Sequence, residues 1–185
     1  MAIIAATVVA AAMSIGANDA TESIEVNPGG ATELSVSYGG VPAMRWIDAY
    51  RGGWNGLQPW GVVVVSLDHR FGSRIWGGLS YTISSASADH VTDKGSGSVT
   101  WHSLMLHGRY IYGWSGRWTF YGSLGLGILV SYLQPSWAPT HTSTHLAFQA
   151  TPIGAQLHLL DNFDIFAEAG FGVQGLARAG VRVDF

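Results

Sequence analysis

Residues 31–185 read as an all-β chain, a closed eight-stranded antiparallel transmembrane β-barrel of up-and-down topology, and three observations predict it. From Ala31 onward apolar residues recur with period two in run after run, and helical spacing is absent. The runs number eight, and their connections fall into short and long classes, as in barrels with tight turns on one side of a membrane and loops on the other. The polar faces hold mainly Ser, Thr and Gly, with too few charges for the outside of a water-soluble β domain.

The first run, 31 to 41, sets Leu34, Val36 and Tyr38 against Glu33, Ser35 and Ser37. The second covers 58 to 69. In the third, 73 to 87, Ile75, Gly77, Leu79, Tyr81 and Ile83 oppose Arg74, Trp76, Ser80, Thr82 and Ser84. The fourth, 98 to 113, opposes Leu104, Leu106, Tyr110 and Tyr112 to Ser103, Met105, His107 and Arg109. The fifth, 117 to 133, alternates most cleanly: Trp118, Phe120, Leu124, Leu126, Ile128, Val130 and Tyr132 share one face, and Thr119, Tyr121, Ser123, Gly125, Gly127 and Ser131 the other. In the sixth, 143 to 160, the apolar parity slips at Pro152 from Leu146, Phe148 and Ala150 to Ile153, Ala155 and Leu157. A β-bulge there accounts for both the slip and the proline. The seventh covers 163 to 173. The eighth, 176 to 185, opposes Val181, Val183 and Phe185 to Arg178, Arg182 and Asp184. Tight links around Phe71, Ser115 and Asp161 contrast with long ones at 42–57, 88–97 and 134–142; the last hairpin, near Gln174 and Gly175, is short against the rule.

Periodicity does not say which face points inward. Aromatic residues near the strand ends of the oily face, among them Tyr38, Tyr110, Tyr112, Trp118, Tyr132 and Phe185, suit the two interfaces of a bilayer. Charges of both signs on the other face suit mutual neutralisation in a narrow lumen. The oily face is therefore expected to meet lipid. Unpaired backbone groups are not tolerated there, so the eighth strand is expected to pair with the first.

Composition narrows the field further. Of 185 residues 48% are hydrophobic and 11% charged, which excludes a disordered chain. A net charge of −3 leaves no basic footprint for nucleic acid. With no cysteine, disulfides, thiolate metal sites and cysteine nucleophiles are excluded. Residues 1–17 read as a signal peptide from the apolar stretch Ile3 to Ile15 and the small residues after it, although no Lys or Arg precedes that stretch. Residues 18–30 read as a polar, flexible lead-in.

The closing third, from Thr151-Pro152-Ile153-Gly154 through Ala167-Glu168-Ala169-Gly170-Phe171-Gly172 to Ala179-Gly180-Val181-Arg182-Val183-Asp184-Phe185, resembles small outer-membrane β-barrel proteins of the Bacteroidetes type. The resemblance implies an OmpA/OmpX-like eight-stranded barrel in the bacterial outer membrane, with outer-membrane lipid and lipopolysaccharide around it. It also implies that Val181, Val183 and Phe185 form the signal by which the barrel-assembly machinery engages its clients. It implies no cofactor.

The candidate chemistry is sparse. By parity Glu33, Asp68, Arg74, Arg109, Glu168, Arg178, Arg182 and Asp184 form a charge network in the lumen. Eight strands leave room for side chains and none for a wide channel, so the network reads as self-neutralisation rather than an ion path. His141, Ser143 and His145 form a short cluster similar to the His and Ser of lipid A deacylases. Glu168, however, falls opposite about residue 154, some nine to thirteen positions away at ~3.3 Å each, so no triad is expected. Asp89 and His90 are the further ligands a metal site with these histidines would need. His102 and His107 lie on opposite faces, one at the rim and one in the lumen, and Trp46, Trp54 and Trp60 are expected to anchor the first loop at the interface. The expected role is structural or surface-interactive, through long loops facing an extracellular ligand, with a lipid A-modifying hydrolase and a small ion-conducting pore as the alternatives.

Overall fold

Alternation of apolar and polar side chains along every extended segment gives strands with two unlike faces, and eight of them close on one another. The computed structural model describes residues 32–41, 54–90, 95–136 and 139–185, apart from the side chains of 54–59 and 88–90. The strands are β1 (Thr32–Gly40), β2 (Trp54–Arg70), β3 (Ile75–His90), β4 (Ser96–Ser115), β5 (Trp118–Pro135), β6 (His141–Leu160), β7 (Phe163–Gly172) and β8 (Ala177–Asp184). They form a closed barrel in the order β1 to β8, each antiparallel to its neighbours. β8 closes onto β1 in the register Glu33↔Asp184 to Gly40↔Ala177. The predicted signal peptide and lead-in lie outside the described residues.

The polarity is inside out. Leu106 and Leu124 are each 71% exposed on the outer wall, whereas Glu33 is 3%, Arg182 4% and Glu168 6% exposed inside. Outward Leu, Val and Ile form a belt between aromatic residues at the two rims, with Tyr38, Trp60, Tyr132 and Phe171 at one end and Phe71, Trp114, Trp118 and Phe185 at the other. Trp60 packs beside Tyr38, whose hydroxyl donates to the Trp60 carbonyl. Trp46 and the side chain of Trp54 lie outside the described residues.

Three links, 71–74, 116–117 and 161–162, turn tightly at one end; the segments 41–53, 91–95, 136–140 and 173–176 connect strands at the other. The strands run further than the alternation predicts: β2 begins at Trp54 and includes Pro59, carried by register shifts between Asn55 and Gln58 and between Pro59 and Val62. Bulges break the period of two, so the sequence pattern fades there while pairing continues. The bulge expected at Pro152 is present, with a shift against β5 between Tyr121 and Ser123 and against β7 between Ala150 and Ile153.

Strand lengths are unequal. β2 to β6 have 16 to 20 residues, whereas β7, β8 and β1 have 10, 8 and 9. β7 stops pairing with β6 at Gln149↔Gly172, and the Val173 N–H donates to the Phe148 carbonyl just past it, so residues 141–147 of β6 project beyond. On the other flank β1 stops pairing with β2 at Gly39↔Val62, leaving residues 54–61 of β2 projecting too. The short hairpin between β7 and β8 turns inward, burying Val173 and Gln174, and Gly175 takes a φ of 95° that favours glycine.

Candidate functional site in the lumen

The interior is layered. Toward the long-link end it is apolar, with Ala86, Val99, Trp101, Met105, Leu129, Ala147 and Val173 packed together and Leu133 against them. Parity places Trp101, Met105 and Leu129 inside, but a polar lumen was the expectation, and the alternation of single strands does not show that these side chains meet.

Toward the short-turn end the lumen is ionic. Glu33 on β1 pairs with Arg109 on β4, directly across the interior, and lies 3.9 Å from Arg182 on β8. Glu168 on β7 pairs with Arg178 at 2.5 Å and with Arg182 at 3.1 Å, both one strand away on the same parity. Asp68 on β2 meets His107 Nε2 at 2.6 Å. Thus six of the eight residues predicted for the network come together here. Asp184 reaches only the short-turn mouth of the barrel, half-buried, with its Oδ1 lacking a hydrogen-bond partner. Arg74 stands apart and corrects the prediction. It lies in the 71–74 turn before β3 begins, where strand parity has no meaning, and it is exposed over the Trp114 ring at 5.3 Å.

The guanidinium groups are also interleaved with rings. Arg109 stands 4.8 Å from the Trp76 centroid and 5.3 Å from that of Tyr121. Arg182 stands 4.8 Å from Tyr121 on the next side and 4.0 Å from Phe166. The sequence Trp76, Arg109, Tyr121, Arg182, Phe166 therefore crosses the lumen as alternating ring and cation, an arrangement that stabilises desolvated cations by the ring quadrupole. Tyr121 joins the two systems, donating from its hydroxyl to Glu168 Oε1 at 2.7 Å and accepting from Arg182 Nη2 at 2.9 Å.

Sequence reasoning missed several members. Gln156 receives Arg182 Nη1 on its Oε1 and donates from Nε2 to Asp164 at 2.5 Å; His158 Nδ1 is 2.9 Å from Asp164. Asp164 shares the parity of Glu168, and Gln156 and His158 take the inward parity that the slip to Ile153, Ala155 and Leu157 implies, so the signal was present for all three. Gln174, from the inward-turned hairpin, donates to Ser80 at 3.0 Å, accepts from Arg178 at 2.5 Å, and its backbone N–H donates to Gln149 Oε1 at 2.9 Å. Beneath this layer a cavity of about 290 Å³ opens at the short-turn mouth of the barrel, lined by Glu33, Arg109, Trp114, Tyr121, Asp161 and Asp184 among others.

At the other end His141 is exposed, while Ser143 and His145 face inward. Ser143 Oγ lies 2.8 Å from Ser131 Oγ and 3.3 Å from His145 Nε2. No ion pair reaches this trio among the described residues, and Glu168 pairs with Gly154, nine positions along β6 from His145. The Asp89 and His90 side chains lie outside the described residues. His102 and His107 do take opposite faces: His102 is 2.6 Å from the Tyr81 hydroxyl on the outer wall.

No family model matches the chain, and no curated protein does. Solved structures do. Neisserial surface protein A is 12% identical over 83% of this chain and 96% of its own, with a TM-score of 0.54. The N-terminal β-barrel domain of Pseudomonas aeruginosa OprF is 15% identical over 85% of this chain and 100% of its own, with a TM-score of 0.47. Ail, the attachment invasion locus protein of Yersinia pestis, is 14% identical over 84% and 95%, with a TM-score of 0.47. Together with the closed register, the likeness to the Neisserial protein establishes the fold as that of the small outer-membrane β-barrels.

Proposed function

We propose that the protein is an integral β-barrel of the bacterial outer membrane that serves at the cell surface in a structural or contact role and neither catalyses nor conducts. The observation that carries this reading is the pairing of a filled interior with a projecting sheet. The ladder of rings and guanidinium groups and the apolar layer occupy the lumen in series, while residues 54–61 and 141–147 run past their shorter neighbours. Among the described residues the β6 segment 141–147 has no strand partner on its β7 side, the last contact being the Val173 N–H donating to the Phe148 carbonyl at 3.1 Å, so its backbone donors and acceptors are available for an extended ligand to pair with. Its outward side chains include Thr142 and Thr144, small polar groups that leave such an edge accessible.

On this reading the partners are outer-membrane lipid and lipopolysaccharide around the belt, an extracellular polypeptide at the projecting edge, and the barrel-assembly machinery during insertion. The outward Val181, Val183 and Phe185 supply the assembly signal. The Bacteroidetes type is the narrower form of the proposal, carried by the closing strand's resemblance alone.

Because the chain has no cysteine, single substitutions test it cleanly. Thr142→Cys is expected to react with a membrane-impermeant maleimide on intact cells, and Asn162→Cys only after the outer membrane is opened. The purified protein is expected to give no unitary steps in planar bilayers. Reversed labelling would overturn the orientation; steps altered by Arg109→Ala would establish a pore.

A further inference from the structure

The outer wall is not uniformly thick. Outward positions on four consecutive strands are small, Gly108 on β4, Gly122 on β5, Ala150 on β6 and Ala169 on β7, and over them lies a groove of about 920 Å³. Ile75, Tyr110, Leu124, Phe171 and Leu176 flank it. Tyr112 reaches over Gly122, occupying the space a Cβ there would take, and its hydroxyl donates to the Pro152 carbonyl at 3.2 Å, so the bulge anchors the ring at the groove's edge. Ile75 adjoins the 71–74 turn and Leu176 belongs to the 173–176 link, so the groove crosses the belt obliquely from the start of β3 to the link between β7 and β8.

We propose that this groove is a binding site for one acyl chain of a glycerophospholipid, held tightly enough to stay with the protein through extraction. The inference rests on the membrane placement above. The groove is continuous with the lipid-facing belt formed by Leu104, Leu106, Leu124 and Leu126, so acyl chains are what surrounds it. Left empty in hydrocarbon, its lining would forfeit dispersion contacts on one side, and van der Waals packing is the main force that holds partners together in lipid. A thin flexible chain fits such a furrow on a convex wall; a second barrel, itself convex, does not. The single cation at the groove, Arg109, is committed to Glu33 inside the lumen. Nothing there is left to hold the several phosphates of lipopolysaccharide, whereas a zwitterionic glycerophospholipid balances its single phosphate with its own ammonium and asks only for the apolar furrow, so it is the fitting source.

The test is native mass spectrometry of the full protein purified in mild detergent, delipidated and offered dipalmitoyl phosphatidylethanolamine, with gel migration before and after boiling as the check on folding. A one-to-one adduct is expected. Gly108→Leu, where an added Cβ meets nothing nearer than the Trp76 carbonyl at 3.9 Å, is expected to fill the groove and weaken the adduct about tenfold, or 1.4 kcal/mol. Ala150→Leu is expected to do the same, and Ala179→Leu on β8, away from the groove, to leave the adduct unchanged. A folded barrel with no adduct, an adduct indifferent to Gly108→Leu and Ala150→Leu, a lipopolysaccharide adduct carried over from cells, or a protein dimer in its place would each overturn the inference while the membrane placement stands. A protein that stays soluble without detergent and migrates identically boiled or unboiled would instead remove the placement itself.

Discussion

The guanidinium of Arg182 lies 4.0 Å from the centre of the Phe166 ring, with Tyr121 on its other face at 4.8 Å. Both Phe166 and Arg182 are nearly fully buried, at 5% and 4% exposure. A charge taken this far from water is stable only where partners replace its hydration, and here two rings, Glu168 and Gln156 share that task.

Removing one partner should therefore cost more than the pair is worth. Glu168→Gln leaves Arg178 and Arg182 facing a neutral amide in a buried site and is expected to destabilise the barrel by about 3–5 kcal/mol. Adding Arg182→Met should recover part of that loss. Urea unfolding of the barrel in lipid vesicles, followed by tryptophan fluorescence, checks both.

Tyr121 separates ring stacking from hydrogen bonding. Tyr121→Phe keeps the ring between Arg109 and Arg182 but removes the hydroxyl that serves Glu168 and Arg182, for an expected cost of about 1–3 kcal/mol. Tyr121→Ala also removes the stack and opens a void, and should cost clearly more in the same assay.

The closing seam tolerates no added bulk. A Cβ on Gly180 would sit 2.3 Å from the Val36 carbonyl and 2.6 Å from Ser37 Cβ across the β1–β8 pairing. Gly180→Val is expected to abolish the fast-migrating unboiled band on a gel, whereas the parent protein shows it.

The Ser143 and His145 pair is expected to do no hydrolysis. Mass spectra of lipid A from cells expressing the protein should match those from cells without it, and Ser143→Ala should change nothing. A lost acyl group that depends on Ser143 would contradict this.

The barrel itself was legible because a strand's period of two survives wherever pairing is regular: Leu34, Val36 and Tyr38 point out and Glu33, Ser35 and Ser37 in, as the alternation requires. Legibility failed where the period breaks. Arg74 sits in a turn and not in the lumen, whereas Gln156 and His158 keep the inward parity that the slip at Pro152 implies and fell outside a network drawn from formal charges alone. Gln174 escaped for another reason, since a link that folds back into a barrel leaves no periodic trace. The apolar layer around Met105 and Leu129 was hidden differently: the residues fall on the inward parity, but which inward side chains share a level depends on the stagger between strands, and one strand's sequence does not contain it.

The union of β1 with β8 joins positions as far apart as Glu33 and Asp184. About 150 residues of chain, the full separation of the two positions, must be looped before that contact forms, and contacts of such long range come late and slowly in folding. The Glu33 to Arg109 bridge waits on the same event, for β1 brings its carboxylate over β4 only when the cylinder seals. Until then Arg109 and Arg182 lack one of their counter-charges, so the half-made molecule is poorly suited to hydrocarbon and becomes fit for it in a single step.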